Sequence, residues 1–278
     1  MTIDGKQVAR ELVKDMHERV LEFSRRPSLG VVIAEETREI RSFVTHKQKL
    51  AQELGLDFAV ATLDPIRHHK IEDLLELVLH TTRSHDGVVL QLPIPSHFDL
   101  EAVLKLFPLS HDVDVLGVTA YEQFKEGKLP FLPPVVAACA EILHREGVRL
   151  QGARVLVVGE GRLVGAPAAV WAGQLGAVVK SVNKHTENLD AWVAGADVII
   201  SGAGVPGLIR PEVVQEGAVI LDAGTSESEG VLRGDADPAC ATKARVFTPT
   251  PGGIGPITVA KLFENLLTLT ALKRRRQQ

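Results

Sequence analysis

The sequence predicts an α/β protein of two domains, and three observations carry that prediction. Short apolar, β-branched runs recur along the chain, longer segments with helical spacing lie between them, and the pattern lapses once around a cluster of prolines. Such runs read as buried parallel strands, and their alternation with helices is the βαβ order of a parallel sheet. The first series contains Leu29 to Ala34, Phe58 to Leu63 and Gly87 to Leu92. The second contains Arg154 to Val158, Val178 to Val182, Asp197 to Ser201 and Ala218 to Asp222. Between them, Leu109 to Pro134 breaks the pattern with Pro130, Pro133 and Pro134 close together, so the domain junction is expected there. Thr248 to Pro256 reads TPTPGGIGP, too rich in turn residues for a helix or a central strand, and an amphipathic helix is expected after it from about Ile257 to Leu272. Lys273, Arg274, Arg275 and Arg276 are expected as the solvated, fraying end of that helix, with cations at its negative pole.

Composition narrows the function. The 278 residues are 45% hydrophobic and only 4% aromatic, and 31 Lys and Arg face 35 Asp and Glu for a net charge of -4. That balance supports a sizeable core and argues against a nucleic-acid groove, which calls for a basic surface with stacking aromatics. No stretch reaches eighteen uninterrupted apolar residues, and MTIDGKQVAR lacks the apolar core of a signal peptide. Neither a membrane nor export is expected, and the location is read as cytoplasmic. Cys139 and Cys240 are too few and too far apart for a disulfide framework or a zinc site. There is no HExxH pattern, no metal is expected, and His68 and His69 read as solvated loop residues.

The strongest local signal follows the strand RVLVV. Gly159, Gly161 and Gly165 stand in VVGEGRLVGAP, just before a helix containing Ala168 to Leu175. Glycines let a backbone approach a pyrophosphate closely, and a helix N-terminus offers it N–H groups and a positive dipole end. Val164 stands where the third glycine of G-x-G-x-x-G belongs, so the spacing is a variant with that glycine displaced by one. At the end of the next strand, NAD-binding turns place Asp or Glu; this chain has Asn183, Lys184 and His185 instead. A cation there suits a 2′-phosphate, so NADP is expected, with Arg162 as a second phosphate partner and Glu160 opposing.

Three further signals lie ahead of the proline cluster. Along Ile40 to Leu54 an apolar stripe runs Ile40, Phe43, Val44, Ala51 and Leu54, and Lys47 falls on it. Desolvation lowers a lysine pKa towards the range of proton transfer; snorkelling is the alternative reading. Gln91 ends the strand GVVLQ before Leu92-Pro93-Ile94-Pro95, at the carboxyl end of a strand where ligands of open α/β sheets sit; a strand-end residue capping the loop is the alternative reading. Asp112 and Asp114 in HDVDVLG are either turn formers or ligand contacts, with at most one expected to face a ligand.

In this order, the pieces resemble the bifunctional methylenetetrahydrofolate dehydrogenase/cyclohydrolase family over nearly the whole chain, from Ile3-Asp4-Gly5-Lys6 to the last helix. The family's Tyr-x-x-x-Lys-x-Lys helix is similar to Phe43 to Lys49, its Gln-Leu-Pro-Leu-Pro turn to Gln91 to Pro95, and its Asp-Val-Asp to Asp112 to Asp114. The cofactor turn matches Gly159 to Pro167, and Gly204-Val205-Pro206-Gly207, the strand ending at Asp222 and the loop Thr248 to Thr258 are also family-like. Four positions depart: Phe43 for tyrosine, Ile40 for a frequent serine, Val115 for glycine, and Phe131-Leu132-Pro133-Pro134 for Pro-Cys-Thr-Pro.

The resemblance implies NADP-dependent oxidation of 5,10-methylenetetrahydrofolate and hydrolysis of the methenyl product to 10-formyltetrahydrofolate. It implies Lys47, Gln91 and Asp114 as catalytic residues: Lys47 as acid-base group, Gln91 as its tuner, Asp114 as holder of the pterin. Phe43, Pro93, Gly252, Gly253 and Pro256 are then the substrate-binding candidates, the last three in a loop bordering cofactor and folate. The cofactor-binding candidates are Gly159, Gly161, Arg162, Val164, Gly165, Lys184, Gly204 and Thr225. It also implies a homodimer joined through cofactor domains. The expected division is a folate domain at 1–133 completed by 256–278, and a Rossmann-like domain at 134–255. A shikimate- or amino-acid-type dehydrogenase is a rival within the fold, opposed by QLPIP and TPTPGGIGP. A paralogue that binds folate or nucleotide without turnover is the rival outside catalysis.

Overall fold

The computed structural model describes residues 1–64, 70–228 and 231–275, so His68, His69 and Arg276 lie outside the described residues. The chain divides into two compact units, one of Glu11–Pro134 with Val259–Gln278 and one of Met1–Arg10 with Val135–Thr258. In chain order the elements are α1 (Gly5–Leu21), β1 (Ser28–Ile33), α2 (Arg38–Glu53), β2 (Asp57–Thr62), α3 (Ile71–Ser84), β3 (Gly87–Gln91), α4 (Leu100–Leu106) and α5 (Val118–Lys125). There follow α6 (Pro134–Arg145), β4 (Arg154–Val158), α7 (Gly165–Gln174), β5 (Val178–Val182), α8 (Leu189–Ala194), β6 (Val198–Ser201), β7 (Val219–Asp222), β8 (Ser226–Ser228), β9 (Val231–Arg233), β10 (Val246–Phe247) and α9 (Ile254–Arg275).

In the first unit β2, β1 and β3 form a parallel sheet in that order, with Ile33 paired to Gln91 at the carboxyl ends. All residues of β1 and β3 are buried. The run at β2, expected to be buried, is an edge strand with Val60 exposed, whereas the opposite edge, β3, is buried throughout. Val32, Leu74, Val78, Leu90, Val103, Leu104 and Phe107 make the core beneath the sheet and its helices. Thr37 starts α2 by accepting the Ile40 N–H at 3.2 Å, which satisfies an orphan donor of the first turn.

Helix α9 differs from its expected form in three ways. It begins at Ile254, inside the turn-rich stretch, and Pro256 is accommodated in its first turn, where the missing N–H has no intrahelical partner to lose. Leu262 with Phe263, Leu266 with Leu267 and Leu269 with Thr270 are all buried, so the helix is enclosed on most sides instead of amphipathic. Asn265 Nδ2 donates to the carbonyls of Val113 and Leu132 at 3.0 and 2.9 Å. A Cβ at Gly87 would stand 2.6 Å from Leu266 Cδ1, so glycine lets α9 lie close to β3. Finally, Lys273 and Arg274 are held by the fold instead of being solvated. Lys273 Nζ donates to the Asp86 carbonyl at 2.7 Å, and Arg274 donates to the Arg25 carbonyl at 2.9 Å and covers the Phe23 ring. Burial pushes the Lys273 ammonium down to about 8.

In the second unit five strands run parallel in the order β10, β7, β6, β4, β5. Leu156, Val158, Ile199, Ile220 and Phe247 belong to its core. The chain leaves β4 towards β5 on one side and returns to β6 on the other, so the strand order reverses beside β4, where open α/β sheets form a crevice. The outer strand β5 was also expected to be buried, yet as an edge it leaves Val178 64% exposed. Residues 1–10, assigned by sequence to the folate domain, belong to this unit. The Ile3 N–H donates to the Phe247 carbonyl and the Phe247 N–H to the Met1 carbonyl, both at 2.9 Å, which pairs the open edge of β10.

Candidate active site

The first unit gathers Lys47, Gln91 and Asp114. One turn of α2 separates Val44 from Lys47, on the face that also buries Ile40 and Ala51, so Lys47 leaves the core side of the helix half-buried. Lys47 Nζ donates to Gln91 Oε1 at 2.8 Å. Gln91 is buried at the end of β3, and its Nε2 donates to the Leu92 carbonyl at 2.9 Å, which fixes which end of the amide meets the lysine. Burial lowers the Lys47 pKa, against the negative charge of Asp114, which raises it. Burial also raises the Asp114 pKa, and the Lys47 charge opposes it. Desolvation thus favours the neutral form of each group, and the charge of the other opposes it.

The loop carrying Asp114 is built by Asp112. Its buried carboxylate accepts the N–H groups of Asp114 at 3.3 Å, Leu116 at 3.1 Å and Gly117 at 2.7 Å. Burial pushes its pKa up to about 7. Asp112 is therefore the turn former of the pair, and Asp114 is the carboxylate beside Lys47. Val115, between them and the bonded N–H groups, has φ 57°, a left-handed conformation costly for a β-branched residue. A glycine at this position carries no such strain.

Phe43, read from sequence as part of the buried stripe, is 42% exposed. It stands one turn before Lys47 at the margin of the stripe and stays outside the core. Pro93 is exposed just beyond Gln91, after a cis Leu92–Pro93 peptide. Gly252, Gly253 and Pro256 lie in the other unit. Gly252 and Gly253 lie against Gly5, which is the glycine that permits the approach: its N–H donates to the Gly252 carbonyl at 2.9 Å and a Cβ added to it would collide with the Gly253 carbonyl.

The remaining candidates line the carboxyl ends of the second sheet. Gly159 follows β4 with φ 94°, and a Cβ there would stand 2.8 Å from the Gly202 carbonyl. A Cβ at Gly165, the first residue of α7, would collide with the Gly159 carbonyl, so the displaced third glycine packs helix against strand end. Val164 fills the space at Gly202, where a Cβ would strike its side chain. A Cβ at Gly161 would meet nothing, which leaves an open cradle beside the N-terminus of α7. Arg162 sits in this turn, half-buried, and Lys184 is exposed in the turn after β5. Gly204 and Thr225 face each other from the loops after β6 and β7, a Cβ at Gly204 lying 3.7 Å from the Thr225 carbonyl. These residues fit a dinucleotide: a glycine turn with an open face, a helix N-terminus, and cations at the strand end.

Sequence reasoning missed the residue that holds these loops. The fully buried Asp235 accepts Ser201 Oγ at 2.6 Å and the N–H groups of Ala203 and Val205 at 2.7 Å each, bracketing Gly204. Beside it, Asp222 accepts the N–H groups of Gly224 and Ala236 at 2.9 Å. Burial, with the Asp235 charge adding to it, pushes Asp222 up to about 6. The only sequence signal was a pair of acidic residues in LRGDAD, in a segment without periodicity.

Fold and site thus define an α/β protein with a dinucleotide crevice in one unit and a lysine, amide and carboxylate group in the other. Comparison with known proteins makes this specific. Residues 3–114 match the catalytic domain, and residues 133–275 the NAD(P)-binding domain, of tetrahydrofolate dehydrogenase/cyclohydrolase, and the chain belongs to that family. It is 34% identical over 276 residues to the bifunctional protein FolD of Halothermothrix orenii, covering 95% of each chain. It resembles the crystal structure of the Trypanosoma brucei methylenetetrahydrofolate dehydrogenase-cyclohydrolase, complexed with NADP and inhibitor, with TM-score 0.92 and 31% identity over 99% of this chain and 98% of that one. Shikimate 5-dehydrogenase of Thermus thermophilus, at TM-score 0.53 and 17% identity over 89% and 98%, shares the fold alone.

Proposed function

We propose that this chain oxidises 5,10-methylenetetrahydrofolate to the 5,10-methenyl form and hydrolyses that product to 10-formyltetrahydrofolate. The observation that carries the reading is the burial-depressed Lys47 tied at 2.8 Å to Gln91 beside the Asp114 carboxylate. Bound NADP supplies the hydride acceptor for the oxidation. Hydrolysis needs a proton taken from water as its oxygen bonds to the methenyl carbon, and a proton delivered to the ring nitrogen as its bond to that carbon breaks. A neutral Lys47 amine takes the first proton and, as ammonium, returns it. Gln91 is a positioning residue: it aims Nζ and, by accepting from it, stabilises the ammonium. Asp114 accepts from the pterin amide and amino groups, and the exposed faces of Phe43 and Pro93 pack against the substrate.

Arg162 and Lys184 give the 2′-phosphate its cations, while Gly159, Gly161, Val164, Gly165, Gly204 and Thr225 shape the cofactor turn. Gly252, Gly253 and Pro256 are assigned to substrate from the resemblance. The homodimer and the cytoplasmic location are likewise carried by the sequence reading; among the described residues no helix is long and apolar enough to cross a membrane. The experiment is to follow NADPH formation with methylenetetrahydrofolate, and separately the loss of methenyltetrahydrofolate, in wild type, Lys47→Met and Phe43→Tyr. Wild type should carry out both reactions, Lys47→Met should lose hydrolysis, and the added hydroxyl of Phe43→Tyr should speed it. Absence of both reactions in the wild type refutes the proposal.

A further inference from the structure

Glu160 follows Gly159 in the turn between β4 and α7, yet its side chain reaches the end of β5. Its Oε2 accepts from Asn183 Nδ2 at 2.6 Å, across 23 residues of chain. Asn183 is itself fixed, because its N–H donates to Thr186 Oγ1 at 3.0 Å and its Oδ1 accepts the His185 N–H at 2.9 Å. With that oxygen engaged, the amide nitrogen is the end turned to Glu160. Asn183 takes one acceptor direction of a carboxylate that offers about four.

In dinucleotide folds an acidic residue at the end of the second strand receives the ribose 2′-hydroxyl, about 20 residues beyond the glycine turn. In this chain that strand end holds Asn183 and Lys184, and the carboxylate arrives there from the glycine turn itself. We propose that Glu160 serves as this acidic residue, so that the one site takes NAD as well as NADP with dissociation constants within about tenfold of each other. A ribose hydroxyl donates to the carboxylate, whereas a 2′-phosphate gains from Lys184 and is repelled by Glu160, and the two effects narrow the preference. The inference rests on reading the second unit as a dinucleotide site.

Calorimetric titration of wild type and Glu160→Gln with NAD and with NADP tests it, with no turnover needed. Glu160 is exposed, so its replacement leaves the core intact. Removing the charge should weaken NAD about tenfold and tighten NADP about tenfold, moving their ratio roughly a hundredfold. An unchanged ratio in Glu160→Gln, or a wild type that prefers NADP by more than about tenfold, overturns the role of Glu160 while leaving the dinucleotide site standing. Binding of neither nucleotide by the wild type overturns the site and this inference together.

Discussion

Replacing Gln91 moves the pH dependence of hydrolysis in a direction set by the charge of the new side chain. Gln91 Oε1 accepts from Lys47 Nζ at 2.8 Å in a buried position, so it favours the ammonium over the amine. A hydrogen bond to a charged group contributes about 1.5–3 kcal/mol, and 1.36 kcal/mol corresponds to one pH unit. Gln91→Leu removes the acceptor and should shift the Lys47 pKa, already lowered by burial, down by a further one to two pH units or about that. Since the amine is the form that takes the proton from water, activity rises with pH through that pKa, and the rising limb should move to lower pH. Gln91→Glu places a negative charge on the ammonium instead and should move the same limb upward. The assay is the rate of methenyltetrahydrofolate loss across pH, corrected for the uncatalysed reaction, with Lys47→Met as the variant from which the limb disappears. If both Gln91 variants keep the wild-type limb, or both move it the same way, the amide does not control the lysine and the reasoning is refuted.

Asp114→Ala should weaken folate binding at least about tenfold, the loss of one charge-assisted hydrogen bond, and leave NADP binding as it was; unchanged affinity for a folate analogue removes the pterin role. Lys184→Ala should weaken NADP by roughly tenfold and spare NAD, because only NADP brings a 2′-phosphate, and equal losses in parallel titrations contradict the assignment. Asp235→Asn keeps the size of the side chain but cannot accept all three donors at Ser201, Ala203 and Val205 as an anion does. NADP affinity should fall several-fold, by roughly the 1 kcal/mol of a weakened hydrogen bond, while hydrolysis continues on residues of the other unit. Intact NADP binding in that variant shows that the loop around Gly204 does not need its anchor.

The sequence by itself determined the seven principal strands to within a residue at their ends, because a buried strand must be apolar and its neighbours must break the run. It also marked Lys47 through its place on an apolar stripe, Gln91 through its strand end, and the glycine turn through its spacing, since each of these is a local property of the chain. Which of Asp112 and Asp114 meets Lys47 was not local: two residues in a loop have no fixed direction until Asp112 accepts three N–H groups and turns Asp114 outward from its own network. The edge exposure of β2 and β5, the pairing of Met1 and Ile3 with Phe247, the anchoring of Lys273 and Arg274, and the reach of Glu160 to Asn183 were equally beyond it. Periodicity records whether a residue is buried, but the identity of the partner it meets across 20 or 200 residues is decided when distant segments pack, as with Asp235 and Ser201, which are 34 residues apart and share a 2.6 Å hydrogen bond.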